Sequence, residues 1–323
     1  MNIPALLLLC TLVTPVAAQT LGSWERIDHP TEMHLWDVDC ADSLSCIAVG
    51  DFGVMLFSTD GGESWKQRLS ENQFALRNVH FFDDSLVIVA GFRGSCYRST
   101  DGGGNWTAVA LPTAVTLPGM SVVGHSIWLS GDGGTIVTSS DRGLSWRTLN
   151  SGTDRLLEAI SFADQQHGWA SSSQRVLLRT TDGGEHWQEQ QIDAFLPVRT
   201  IHARSADECW AAGYRGLLLR TLDGGTTWQR IDAYETDYVS LTFDDKGTGW
   251  AVGKRGAIVR GEDDNLRWRL HDLTGTGALN AITFLPNNQA LSVGMHGMIL
   301  KLYERIPSPP DAGSPESRQN KEQ

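Results

Sequence analysis

Short stretches of alternating apolar and polar residues recur along the chain, as in LRNVHFF at 76–82, LEAISFA at 157–163 and YVSLTFD at 238–244. A period of two predicts a β-strand with one face buried. After each such run comes an apolar strand that ends in a Gly-x-x-Gly turn: GDFG at 50–53, GFRG at 91–94, GDGG at 131–134, GYRG at 213–216, GKRG at 253–256 and GMHG at 294–297. In the fourth repeat the turn decays to SSQR at 172–175. A third short apolar strand then leads into an octapeptide that closes on tryptophan, and a fourth strand follows it. The octapeptide reads STDGGESW at 58–65, STDGGGNW at 99–106, SSDRGLSW at 139–146, TTDGGEHW at 180–187 and TLDGGTTW at 221–228, with a degraded copy, GEDDNLRW, at 261–268.

The spacing fixes the architecture. Trp24, Trp65, Trp106, Trp146, Trp187, Trp228 and Trp268 follow one another at 41, 41, 40, 41, 41 and 40 residues, a period that belongs to repeat folds. Four antiparallel strands per unit, arranged radially, predict an all-β chain folded as a single seven-bladed β-propeller. Six complete repeats occupy 32–270; a seventh starts at Ala278, contains GMHG and stops near Tyr303 without a box or a closing tryptophan. The missing outer strand is expected from the amino end, where residues 21–28 carry Trp24. Ring closure of this kind leaves no long exposed strand edge. Trp128, Trp169, Trp210 and Trp250 stand on the second strands, 13 residues before the box acids Asp141, Asp182, Asp223 and Asp263.

Composition agrees with repetition and turns: 34 glycines and 12 tryptophans among 323 residues. The formal charge of −12 argues against non-specific binding to nucleic acid phosphates or anionic membranes. Residues 1–18 carry no charge, hold an apolar stretch from Ala5 to Val13 and end in Val16-Ala17-Ala18, which reads as a signal peptide cleaved before Gln19. The large Leu9 before Cys10 is wrong for a lipoprotein signal. The domain organisation expected is therefore a signal peptide at 1–18, the propeller at 19–305 and a disordered tail, rich in proline, serine and charge, at 306–323. The protein is expected to be exported, periplasmic or secreted. Export permits disulfides, and Cys40 and Cys46 flank a short segment as the two sides of one hairpin would. Cys96 and Cys209 are expected as buried thiols.

In the box, glycine supplies positive φ and the aspartate accepts backbone N–H groups that the turn leaves unpaired. Asp60, Asp101, Asp141, Asp182 and Asp223, with Trp65, Trp106, Trp146, Trp187 and Trp228, are read as structural, each tryptophan sealing its hairpin from outside. This is the Asp-box of sialidases, but the resemblance to those enzymes ends there, and Arg305-Ile306-Pro307 follows the last blade where their Arg-Ile-Pro precedes the first. The seven repeats, the alternation of Gly-x-Arg-Gly turns with boxes, the single-domain length and the export signal resemble the photosystem II stability/assembly factor family over about residues 21–303. That resemblance implies a non-catalytic propeller that binds a membrane-protein partner on the exported side and assists its assembly (in the thylakoid lumen if the host is photosynthetic), through arginines carried by the turns. Arg93, Arg215 and Arg255 match the pattern; Arg175 lies one place off, and Phe52, Gly133 and His296 depart from it.

The residues themselves point to the same end of the molecule. Counting back from the box acids places Trp36, Arg77, Leu117, Glu158, Arg199, Val239 and Asn280 at equivalent early positions of the innermost strands, beside the Gly-x-x-Gly turns. Arg77 with Arg93, Arg199 with Arg215, and Lys254 with Arg255 then form cationic clusters at one mouth, with His296 and Trp36 among them. Guanidinium groups hold carboxylates bidentately, so the expected partner is a membrane-protein complex or an acidic peptide segment of an exported protein, bound by a monomer. The same arginines could instead lie over neighbouring rings or neutralise Asp51, Asp132 and Glu158, and Trp36 could be channel-wall packing or a contact. No cofactor or metal is expected: the nine histidines show no HxH or HExxH spacing, and no nucleophile elbow or phosphate loop appears. The alternative of another class is a carbohydrate-active enzyme, for which Asp37 and Glu158 are the candidate acids.

Overall fold

Each repeat folds as its alternation dictates. A computed structural model of the chain describes residues 22–172, 176–192, 196–273 and 277–303. The expected signal peptide, Arg175 and the expected tail lie outside the described residues. In blade 1 the innermost strand Leu35–Cys40 is followed by Cys46–Gly50, Val54–Ser58 and the outermost Lys66–Leu69, each antiparallel to the one before. The innermost strands mix buried and half-buried positions, and the third strands of blades 1, 3 and 4 are buried at all but one position. The second strands, such as CIAVG, VIVAG and GWAVG, are buried along their whole length, because neighbouring blades cover both of their faces.

The innermost strands pack side by side in sequence, and the seventh, Leu279–Phe284, returns to the first, Leu35–Cys40. That closes a ring of seven blades. The last sheet runs in the order Ser23–Arg26, Ile299–Tyr303, Ala290–Gly294 and Leu279–Phe284, with Trp24 opposite Leu302. The amino end thus supplies the missing rim strand. The core is distributed between blades: Leu291, Val293 and Ile299 of blade 7 pack with Leu35, Ala48 and Leu56 of blade 1.

Two structural details differ from the sequence reading. The closing tryptophans do not all seal their hairpins: Trp24, Trp65 and Trp268 are buried, whereas Trp106, Trp146, Trp187 and Trp228 are half-buried. Trp268 owes its complete burial partly to an additional strand, Asp232–Ala233, which pairs parallel with Arg267–Trp268 and gives blade 6 a fifth strand. The third strands also carry a cation that the periodicity did not single out. Arg179, Arg220 and Arg260 lie over Trp169, Trp210 and Trp250 at 5.5, 4.9 and 5.5 Å, so these guanidinium groups and indoles pack as pairs within each blade.

Cys40 and Cys46 stand opposite each other across the first hairpin and are joined, with Cα atoms 4.1 Å apart. Cys96 and Cys209 are buried thiols, and burial pushes Cys96 up to about 12. The box acids use their oxygens on their own turns. Asp60 Oδ1 accepts from Ser58 Oγ at 2.7 Å and from Ser64 N–H at 2.9 Å, and Trp65 Nε1 donates to the Gly62 carbonyl at 3.1 Å. The pattern repeats at Asp101, Asp141, Asp182 and Asp223.

These hydrogen bonds favour the ionised acids. At Asp101, Asp141, Asp182 and Asp223 the largest cause is hydrogen bonding from the residue four places on; at Asp60 burial acts most strongly in the opposite sense, and hydrogen bonds from Ser64 and Ser58 outweigh it. All five are held at about 2, against an ordinary 3.8. A carboxylate depressed by folding contributes stability that is complete above the unfolded value and lost as pH falls through the folded one. Tryptophan fluorescence should therefore show a steep loss of stability between about pH 4 and pH 2. Substituting Asp101 and Asp223 by asparagine should flatten that descent. An unchanged acid midpoint in the double variant would refute the linkage.

Candidate functional site

At the end of the ring opposite the boxes, each Gly-x-x-Gly turn packs against the residue that enters its own blade's innermost strand, as Phe92 N–H does in donating to the Ala75 carbonyl. Gly91 shows why the first glycine is needed: a Cβ there would run into the Ala75 carbonyl oxygen. Its partner Gly94 sits at φ 68°, left-handed backbone that glycine adopts without penalty. The residue between them is also left-handed, at φ 53° for Arg93, 52° for Arg215, 58° for Arg255, 56° for His296 and 54° for Phe52. These side chains are thereby turned outward, and all five are exposed.

The innermost strands contribute a second ring of side chains. Six of the seven open with a register shift, and the residue displaced by the bulge is Trp36, Arg77, Glu158, Arg199, Val239 or Asn280. A bulge re-aims one side chain out of the ladder. All six line a funnel of about 380 Å³ at the channel mouth. In blade 3 the sequence count placed Leu117 there, and the structure corrects it. Leu117 is fully buried, and Pro118 lines the funnel instead. The reason is the shorter hairpin between Gly119–Val123 and Ser126–Ser130, which makes a fixed count back from Asp141 overshoot by one. Phe92, Thr116, Asp132 and Leu156 complete the wall; of these, the sequence singles out Asp132 alone, as an acid near the turn arginines.

The funnel is electrostatically crowded. The Arg77 guanidinium lies over the Trp36 ring at 3.7 Å, and Trp36 Nε1 donates to Asp51 Oδ1 at 2.6 Å. Burial pulls Arg77 down from the ordinary guanidinium value; Asp51 opposes this, Arg199 adds to it and Glu158 opposes it. Arg199 approaches Glu158 at 4.0 Å and lies 5.8 Å over the Tyr214 ring. The inner cations are therefore partly neutralised within the chain.

The rim differs. Arg93 lies over Phe74 and Phe92, at 5.2 and 6.0 Å. Lys254 Nζ meets Asp237 Oδ2 at 2.5 Å, and the Arg215 N–H donates to Asp237 Oδ1 at 2.9 Å. Burial works against ionisation of Asp237, but hydrogen bonds from Lys254 and Arg215 and the charges of Lys254 and Arg199 outweigh it and hold the acid below its ordinary value. Arg215, Lys254 and Arg255 line a cleft of about 330 Å³ between blades 5 and 6. Among the described residues the Arg255 side chain has no ion-pair partner, and neither has the Arg215 guanidinium. His296 is tied in through its N–H, which donates to His34 Nδ1 at 2.9 Å, with the two rings 5.0 Å apart.

The two acids singled out for a glycosidase have other partners. Asp37 accepts from Val38 N–H and, across the blade boundary, from Val79 N–H, both at 2.9 Å. Asp39 bridges in the same way to Phe81 N–H. Burial pushes Asp37 up to about 7 against the lowering effect of the Val79 bond. Glu158 pairs with Arg199. Among the described residues no group of three or more histidine, cysteine or acidic side chains could hold a metal ion, and no helix is long and apolar enough to cross a membrane.

Comparison with known proteins gives a consistent picture. The profile of the family described as "Photosynthesis system II assembly factor YCF48" matches residues 16–124 and 144–236, well over half of the chain. The photosystem II assembly lipoprotein Ycf48 of Synechococcus sp. (strain CC9902) is 31% identical over 142 residues, covering 41% of this chain and 42% of that protein. The chain spans less than two thirds of the length of the curated relatives it matches. Among solved structures, YCF48 from Cyanidioschyzon merolae superposes with a TM-score of 0.71 at 23% identity, covering 87% of this chain and 98% of that one. A structure of YCF48 bound to a D1 peptide superposes with a TM-score of 0.73 at 19% identity, covering 86% and 96%. At those identities the superpositions establish the fold.

Proposed function

Because the chain belongs to the photosystem II assembly factor Ycf48 family, we propose that it is a non-catalytic docking propeller that holds an extended acidic segment of a membrane-complex subunit during assembly. The observation that carries this reading is the turn-face mouth. A bulge in six innermost strands aims side chains into one funnel, and turn arginines held in left-handed backbone surround it. Non-glycine residues at positive φ cost free energy, and such costs cluster at functional positions. The free guanidinium groups of Arg215 and Arg255 suit bidentate capture of carboxylates, and the funnel's aromatic wall suits the rest of an extended chain. A relative solved with a D1 peptide supports a peptide as the ligand class. We place the protein on the exported side, released from its signal peptide and acting as a monomer, with the partner a photosystem subunit or its counterpart in a related membrane complex.

An affinity pull-down from native membranes tests the reading. The wild type should retain a membrane-complex subunit that an Arg93→Glu/Arg215→Glu/Arg255→Glu variant loses by at least tenfold, with unchanged thermal stability. Equal retention by both proteins would end the assignment of this face.

A further inference from the structure

Phe52 occupies the position that carries arginine in blades 2, 5 and 6, yet it is 64% exposed and held at φ 54°. A bulky side chain in left-handed backbone is an outlier, and an exposed one gains nothing from packing. It does not stand alone. Of the nine exposed large apolar side chains among the described residues, Met33, Phe52, Leu69 and Phe92 belong to blades 1 and 2 or the segment leading into them, at the turn face. The unpaired cations Arg215 and Arg255 lie on blades 5 and 6, across the mouth in a ring of seven. The face therefore has an apolar arc and a cationic arc on opposite sides of one funnel.

We propose that Phe52 is a specificity-determining contact, and that the segment bound at this face is amphipathic: a bulky apolar side chain seated on the arc around Phe52, and a carboxylate-bearing stretch crossing the mouth to Arg215 and Arg255. The inference rests on the docking function proposed above and deepens it. Charge complementarity sets the acidic end: among the described residues the Arg215 and Arg255 guanidinium groups on blades 5 and 6 have neither an ion-pair partner nor an aromatic ring beneath them, whereas Arg93 on blade 2 lies over Phe74 and Phe92. Apolar exposure sets the other end, because clustered apolar surface marks an interaction site where scattered residues would not.

Fluorescence anisotropy with synthetic peptides tests it. The probe is a fluorescein-labelled Gly/Ser peptide with an Asp-Asp-Asp block at one end and a Leu-Phe pair at the other, made in both chain directions. Its control has Ser-Ser in place of Leu-Phe. Wild type should bind the Leu-Phe peptide about tenfold tighter than the control, and Phe52→Gly should abolish that preference while still binding both peptides at the control's affinity. Glycine is at ease at positive φ, so this variant should melt no lower than wild type. Equal affinity of wild type for the two peptides, or a preference that survives in Phe52→Gly, overturns the proposal. If the control peptide binds and Arg215→Gln/Arg255→Gln releases it, the docking function stands even where the apolar contact has fallen. If neither peptide binds in either direction, both fall.

Discussion

Trp24→Ala should lower the free energy of unfolding by about 3–5 kcal/mol, and removal of residues 22–28 should abolish a soluble monomer altogether. Trp24 lies in the strand that completes blade 7 and is buried with Trp250, Ile282, Leu300 and Leu302. Its indole meets that of Trp250 edge-on, with centroids 6.5 Å apart, so one substitution removes apolar burial from two blades. Ile27 extends the same seam by donating its N–H to the Ile299 carbonyl at 3.0 Å. Without the strand, Ile299–Tyr303 becomes an unpaired edge, and such edges recruit other chains. Chemical denaturation checks the free energy, and thermal unfolding should show a fall in melting temperature on the order of 10 °C for a domain of this size. Size-exclusion chromatography checks the truncation. A truncated chain that stays monomeric and melts within about 2 °C of wild type would mean that the ring does not depend on its amino-terminal strand.

The second large effect concerns a latch on the other side of blade 7. Lys301 is almost fully buried, its side chain 3% exposed, and its Nζ donates to Glu63 Oε1 at 2.6 Å. Tyr303 Oη donates to the other oxygen, Glu63 Oε2, at 2.7 Å. One carboxylate in the first box therefore holds two groups of the last complete strand, across the boundary where the chain's two ends meet. Glu63→Ala leaves a buried ammonium unpaired, and breaking a buried pair from one side costs about 3–5 kcal/mol. Because Glu63 is 47% exposed, water offsets part of that, and a loss of about 2 kcal/mol is expected. Lys301→Met should be nearly neutral, since an apolar side chain of similar volume removes the charge that needs a partner. Combining it with Glu63→Ala should rescue most of the single variant's loss. Equal destabilisation by Glu63→Ala in the Lys301 and Met backgrounds would show that the pair contributes nothing to closure.

Neither Lys301 nor Glu63 is conspicuous in the sequence. Each sits at a position that varies from repeat to repeat, and the two are 238 residues apart. The same holds for the backbone bridges that Asp37 and Asp39 make to the next blade, for the exposure of Phe52 and for Pro118 at the funnel. Counting back from Asp141 lands on Leu117 rather than Pro118 because a fixed count assumes hairpins of constant length, and blade 3 has a shorter one.

The sequence by itself determined the wheel. A spacing of 40–41 residues between tryptophans, four strands per period and an orphan Trp24 before the first complete repeat allow one arrangement, because the period-two alternation and the turn glycines act locally and repeat without slipping. It also determined which end carries the arginines, since antiparallel pairing puts every Gly-x-x-Gly turn beside the start of an innermost strand. Tertiary structure alone decided how those cations are spent. Whether Arg77 lies on Trp36, Arg199 approaches Glu158 or Arg255 is left without a partner depends on contacts between blades, which join residues about 40 or more positions apart and leave no local pattern. The division between an apolar arc and a cationic arc belongs to the same class, because it exists only after the ring has brought blades 1 and 2 to face blades 5 and 6.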